Sequence, residues 1–481
     1  MLITIDRCTH ALRKMSREIC VDEGIVQARQ RVSVNKSWKG FFWLYQMFGS
    51  LMLSVLFSSL VFAQGEKFLE SDMVGQQGTV WSLETAVSVA IDTNPTLAEI
   101  KARYQAAEAI PSQRGALPDP ALSFQLMNFP TDTFRFNQEP MTQVSFGISQ
   151  GIPYPGKRKL RTEAAEFEAK AVAAEVDETR LRLIRDVKGQ WWELFYVDRA
   201  VETISRNLDL MRDLVKIAES KYEQGQGLQS DVLLAQVELS KLLDQEIALR
   251  GMRKGKEATL NALLNKPTNQ RITLSRTMTE EFPDVEVEQT LFPVAEENRP
   301  ILAAQRLRVE AAEARRNLAL KDYYPDFQIR ASYGFRGGVN PLSGIDRPDF
   351  VSAGLTVSLP IYTGPKQDKA HEQRVAEVYQ SRMALDRQRS MVQEQISRSA
   401  SDYGQAVEQA RLFQTGIIPQ AKQSLDATRA AYLVNRVDFL NLVRAQISLY
   451  NFETQYWRAA TRAYQAHASL EAAVGEEVND G

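Results

Sequence analysis

The sequence predicts a mainly α-helical protein with a small β part, built from one unit that occurs twice: helix, β-hairpin, very long helix, turn, helix. Three observations carry this. Residues from about 157 to 221 contain no proline and place apolar residues at steps of three and four, so one helix of roughly 95 Å is expected there at 1.5 Å per residue. Four short runs alternate apolar with small polar residues, the pattern of a strand whose two faces differ. The same order of features recurs in both halves of the chain, which marks an internal duplication.

The first unit opens with "SLETAVSVAIDTNPTLAEIKARYQAAEA", where Asn94-Pro95 starts a helix with proline just inside its first turn, a place that needs no N–H. The second opens with "LFPVAEENRPILAAQRLRVEAAEA", with Arg299-Pro300 in the same role. Each helix ends at a Pro-Asp step, Pro118-Asp119 or Pro325-Asp326, and alternating runs follow at 121–129 and 327–335. Return strands are expected at 142–153 and 350–360, closed by Pro153 and Pro360. In the last of these, Val351, Ala353, Leu355 and Val357 share one face, and Ser352, Gly354, Thr356 and Ser358 the other.

Along the long helix Ile184, Val187, Trp191 and Leu194, then Ile204, Leu208, Met211 and Val215, form a heptad seam, so it packs lengthwise as a coiled coil. The seam ends at "KYEQGQGLQSDVLLAQ" (221–236), matched in the second unit by "AYLVNRVDFLNLVRAQ" (431–446). Tyr222 and Tyr432 occupy corresponding places, and Gly225 with Gly227, or Asn435, interrupt the helix. The expected organisation is therefore a first repeat over 80–265 with a helical hairpin at 157–265, and a second over 291–475 with a hairpin at 366–475. The link, about 266–290, reads as loop with at most one strand.

Four strands cannot close a barrel, and an open sheet with one apolar face aggregates. Strands of nine to eleven residues suit a tilted crossing of a bilayer, where only closed barrels satisfy every backbone group. Leu355 and Val357 would then face lipid, and Thr356 and Ser358 a wet lumen. A soluble sandwich alternates in the same way, but four strands leave no second sheet to pack against. Closure needs other copies of the chain.

Composition is that of an ordinary globular protein, with 44% hydrophobic and 25% charged residues. Residues 1–63 read as an over-extended start followed by a signal peptide, since "GFFWLYQMFGSLMLSVLFSSLVFAQ" ends in Val61-Phe62-Ala63, with small residues where a signal peptidase cuts. The alternative is an uncleaved anchor, because the run is long enough to span a bilayer. Both cysteines, Cys8 and Cys20, precede the cut, which removes disulfides, zinc sets and thiol nucleophiles from the mature chain. Its mild acidic excess argues against nucleic acid as a partner. With His371 and His467 the two histidines left after the expected cut, distant from each other, no nucleophile elbow and no phosphate loop, nothing points to an enzyme, a metal site or a cofactor.

The duplicated unit, the proline-closed hairpins, the paired tips and the run "GIIPQAKQSLDATRAAY" with Pro419 resemble the outer-membrane efflux protein (TolC) family over nearly all of residues 80–475. The resemblance implies a homotrimer whose twelve-stranded outer-membrane barrel continues into a periplasmic α-helical coiled-coil tunnel in a Gram-negative envelope. It further implies a periplasmic adaptor (membrane fusion) protein, an inner-membrane pump of the resistance-nodulation-division type, and a passive exit duct for metal ions or small toxic compounds. The stretch "NFPTDTFRFNQEPMTQVSFGISQGIPYPGKRKLR" resembles the heavy-metal efflux branch. A non-conducting coiled-coil tether of the cell envelope is the competing function.

The family closes its tunnel at the hairpin tips. On that pattern Asp231 and Tyr432 correspond to gate residues, and Asn441 and Arg444 stand where some members carry acidic rings. A ring of three Arg444 would favour anions. Tyr222, Gly225, Gly227, Asn435 and Val437 are the expected adaptor-docking tips. Asp231 also fits a helix cap, and both tyrosines fit packing in the seam.

Overall fold

The computed structural model describes residues 80–275, 281–285, 288–340 and 342–476, and the expected signal at 1–63 lies outside them. The first repeat begins with β1 (Val80–Trp81) and α1 (Leu83–Thr93), whose N-cap Ser82 accepts a hydrogen bond from Thr85 N at 3.2 Å. Asn94 starts α2 (Pro95–Glu108) by accepting from the backbone N–H of Thr96 and Leu97, which satisfies two otherwise orphaned donors. A short α3 (Ile110–Gly115) leads to β2 (Ala121–Met127) and β3 (Gln143–Ile152). Next comes α4 (Lys157–Glu223), a single helix of 67 residues and so about 100 Å long. It turns into α5 (Gln229–Leu263).

The second repeat runs through α6 (Glu288–Asn298), α7 (Pro300–Lys321), β5 (Asp326–Arg336), β6 (Phe350–Ser358), α8 (Lys369–Leu412), α9 (Ile418–Leu433) and α10 (Phe439–Val474). Among its described residues the link carries one strand, as expected, the two-residue β4 (Thr273–Leu274), parallel to β1. Two differences from expectation have local causes. Helix α6 already begins inside the link at Glu288, because Leu291 and Ala295, one turn apart, drop into a core with Leu302, Ile396 and Leu470. Strand β2 stops at Met127 rather than 129, because Asn128 adopts φ +55°, while its side chain donates to Met141 O at 3.1 Å and closes the hairpin. Between α8 and α9 the helix widens to a π turn at Phe413–Ile417. Pro419 lacks the N–H that would bond Thr415 O, and the turn before it relaxes accordingly.

The four long strands form one antiparallel sheet in the order β2-β3-β5-β6. Register puts Phe124, Phe146, Tyr333 and Val351 in one row, and Leu122, Ile148, Ala331 and Ala353 in the next. Most of these apolar side chains are exposed, although Phe124 and Phe146 pair at 5.1 Å between ring centres. The other face carries rows such as Ser123, Gly147, Ser332 and Ser352. Gly147 permits the close approach of its neighbours, since a Cβ there would sit 2.8 Å from Ser123 Oγ and 3.3 Å from Ala331 O. Edge strands β2 and β6 have no further partner among the described residues.

Sheet and helices are joined by a buried lysine. Lys157 Nζ lies 3.0 Å from Asp326 and 3.1 Å from Asp322, and Tyr154 N donates to the same Asp326 carboxylate at 2.7 Å. Arg299 keeps the helix-start position of Asn94 but not its cap. Its guanidinium turns inward to Glu178 at 2.9 Å. Further down, the α4 seam buries Val187, Trp191, Leu194, Ile204, Leu208 and Met211. A polar pair interrupts it: buried Gln446 on α10 donates to Asn207 Oδ1 on α4 at 2.6 Å, a contact that fixes register because a slip leaves a buried amide N–H and a buried amide oxygen without that partner.

Candidate functional site

The two tips are the same structure written in different residues. At the end of α4, Gly225 takes φ +68°, Gln226 N donates to Lys221 O at 2.8 Å and Gly225 N to Tyr222 O at 3.0 Å. At the end of α9, Asn435 takes φ +57°, Arg436 N donates to Ala431 O at 2.9 Å and Asn435 N to Tyr432 O at 3.1 Å. Both are Schellman caps, in which a left-handed residue lets the next amides reach back to the last free carbonyls of the helix. Glycine and asparagine are the residues that adopt this conformation at least cost. Gly227 has an ordinary φ but a tight position, since a Cβ there would lie 3.1 Å from Lys221 Cβ and 3.2 Å from Tyr222 N. Its counterpart Val437 packs into the core shared by the two hairpins.

The equivalent tyrosines part company. Tyr432 is only 5% exposed and meets Phe439 at 5.3 Å between ring centres, whereas Tyr222 is 47% exposed. Seam packing therefore describes Tyr432 and not Tyr222. Asp231 sits in the first turn of α5, whose N-cap is Leu228, so the capping alternative is corrected: the helix starts two residues before Asp231. There the helix dipole still favours a carboxylate. Burial, and then the nearby Asp231 charge, raise the Tyr432 phenol above its ordinary range. Asp231 and Tyr432 are thus brought together, without a hydrogen bond between them. Asn441 and Arg444 lie exposed on the first turns of α10, and Arg444 has no ionic partner among the described residues.

The residue that sequence reasoning missed is Lys221. Its Nζ crosses from the first tip to the second, donating to Tyr432 O at 2.7 Å and to Asn435 Oδ1, and it stands 4.3 Å from the centre of the Tyr432 ring. Asn435 thus has two roles, a left-handed cap and an acceptor for the bridging ammonium. The signal was present as a break in the repeat, since the position matching Lys221 in the second unit is Ala431. Among the described residues no group of three His, Cys, Asp or Glu side chains is placed to hold a metal ion. No described helix is long and apolar enough to cross a membrane.

The chain matches the family described as outer membrane efflux protein over residues 86–266 and 291–476, one match on each repeat. The cobalt-zinc-cadmium resistance protein CzcC of Cupriavidus metallidurans is 22% identical over 444 residues, covering 89% of this chain and 99% of that protein. An uncharacterised protein of Haemophilus influenzae is 26% identical over 35% of this chain, a match that spans only 37% of its own length. Among solved structures, the outer membrane protein VceC of Vibrio cholerae superposes with a TM-score of 0.68 at 18% identity, over 82% of this chain and 97% of that one. The fold is shared. The two matched segments cover most of the chain, and it belongs to the outer membrane efflux protein family, located in the outer membrane with a periplasmic extension.

Proposed function

We propose that three copies of this chain close their sheets into a twelve-stranded barrel and their hairpins into a periplasmic tunnel, forming the passive exit duct of a tripartite efflux system. The observation that carries this is the sheet itself: four strands with two open edges, an exposed apolar face and a polar face. Lipid outside and water inside give each face a solvent, and closure removes both edges. Exposed apolar residues at helical spacing support side-by-side copies below the barrel, with Leu233 and Val237 on α5 and Val375, Tyr379 and Met383 on α8.

The tips form the constriction, with Asp231, Tyr432, Asn441 and Arg444 near it. The turns at Tyr222, Gly225, Gly227, Asn435 and Val437 present themselves to a periplasmic adaptor and, through it, to an inner-membrane pump of the resistance-nodulation-division type. Similarity to CzcC along nearly its whole length supports metal ions as cargo, with small toxic compounds as the wider class. A measured mass of three chains in detergent, with discrete conductance steps in planar bilayers, is the expected result. A monodisperse monomer, or a trimer that conducts nothing even when its tip contacts are broken, refutes the duct.

A further inference from the structure

We infer that the bore of this duct is cationic at mid-barrel, that Arg330 makes it so, and that the assembled channel prefers anions. This rests on the trimeric duct proposed above. Arg330 lies on β5 in the row Ala121, Ser149, Arg330, Gly354, on the polar face that a closed barrel turns toward water. Its row neighbours are small, so nothing screens the guanidinium, and the residue is exposed.

The charges on that face can be assigned one by one. Its only strand carboxylate is Asp326, already bound by Lys157 Nζ and Tyr154 N. It sits four residues away, about 13 Å along the strand. The other arginine, Arg336, is spent at the loop, where it donates to Pro140 O and Pro348 O, lies 4.1 Å from the Phe350 ring centre, and has Asp349 accepting from its backbone N. Arg330 alone has no ion pair or hydrogen bond among the described residues. Three copies would set three uncompensated positive charges around one level of the bore.

The helices just below continue the same sign. A cleft of about 770 Å³ is lined by Arg103, Arg114, Arg161, Arg315 and Arg374 against the single carboxylate of Glu168. Arg103, Arg315 and Arg374 are paired, with Glu175, Glu168 and Glu377, but Arg114 has no partner among the described residues. Arg161 stands one turn from Lys157 on the same side of α4, and Lys157 reaches the polar strand face at Asp326.

Three unit charges roughly 10 Å from the axis enrich a monovalent anion there by on the order of two- to eightfold, depending on salt. The cargo class this favours is small anions, including metal carried as an anionic complex. The test is the reversal potential of the full-chain trimer in a planar bilayer under a tenfold KCl gradient, in the parent and in a Lys221→Met background that loosens the tips. The parent should be chloride-preferring, Arg330→Gln should bring the ratio toward unity, and Arg330→Glu should invert it. A conducting trimer that prefers potassium, or whose preference Arg330→Glu leaves unmoved, overturns the charge assignment alone. A trimer silent in both backgrounds overturns the duct, and this inference with it.

Discussion

Replacing Lys221 with methionine removes one charge and keeps the stem whose Cβ lies beside Gly227. In the parent the ammonium joins the tips through Tyr432 O at 2.7 Å, Asn435 Oδ1 and the Tyr432 ring at 4.3 Å. A hydrogen bond from a charged group contributes ~1.5–3 kcal/mol when shielded, and a cation over an aromatic face ~0.5–1 kcal/mol. Because Asn435 is exposed and water competes for the ammonium, the sum is discounted to about 1–2 kcal/mol. That is roughly a 5- to 30-fold shift per protomer between joined and separated tips. Two readouts check it: open probability in planar bilayers, and the distance between spin labels at Gln226 and Arg436. Lys221→Met should raise the first and broaden the second, while Lys221→Arg, which can still donate, stays near the parent. Tyr432→Phe should change little, because the ring is kept and the phenol makes no hydrogen bond. Equal open probability and an unchanged distance distribution for Lys221→Met would refute the bridge.

Two further perturbations test the faces and the turns. Leu355→Arg should cost about 2–4 kcal/mol if the residue sits near the bilayer midplane, while Thr356→Arg, toward water, should be milder; urea titration of the reconstituted protein reads both, and equal losses would mean the faces are reversed. Gly225→Val forces a β-branched residue to φ +68° and should cost about 1–3 kcal/mol at the turn, abolishing adaptor capture in a pull-down. Gly227→Val has an ordinary φ and a valine counterpart at 437, so it should lose less; full adaptor binding by Gly225→Val would remove the tip from the docking surface.

How much of this was legible in one dimension depended on whether the cause was local. A strand's period of two, the proline-free seam and the left-handed glycine or asparagine act over a few residues, so the sequence alone determined the β-runs, the long α4 and the matching tips. It also exposed the duplication, because the same local instructions recur in the same order. Where a side chain acts across the chain, composition was silent. Lys221 meets residues more than two hundred positions away, Gln446 finds Asn207 across a similar interval, and Arg299 looked like a second Asn94 until its guanidinium turned to Glu178. The sheet register decided that Arg330 shares a face with serines and glycines and that Asp326 is already neutralised by Lys157. Such pairings follow from how distant segments close on one another, and only the tertiary structure fixes which donor meets which acceptor.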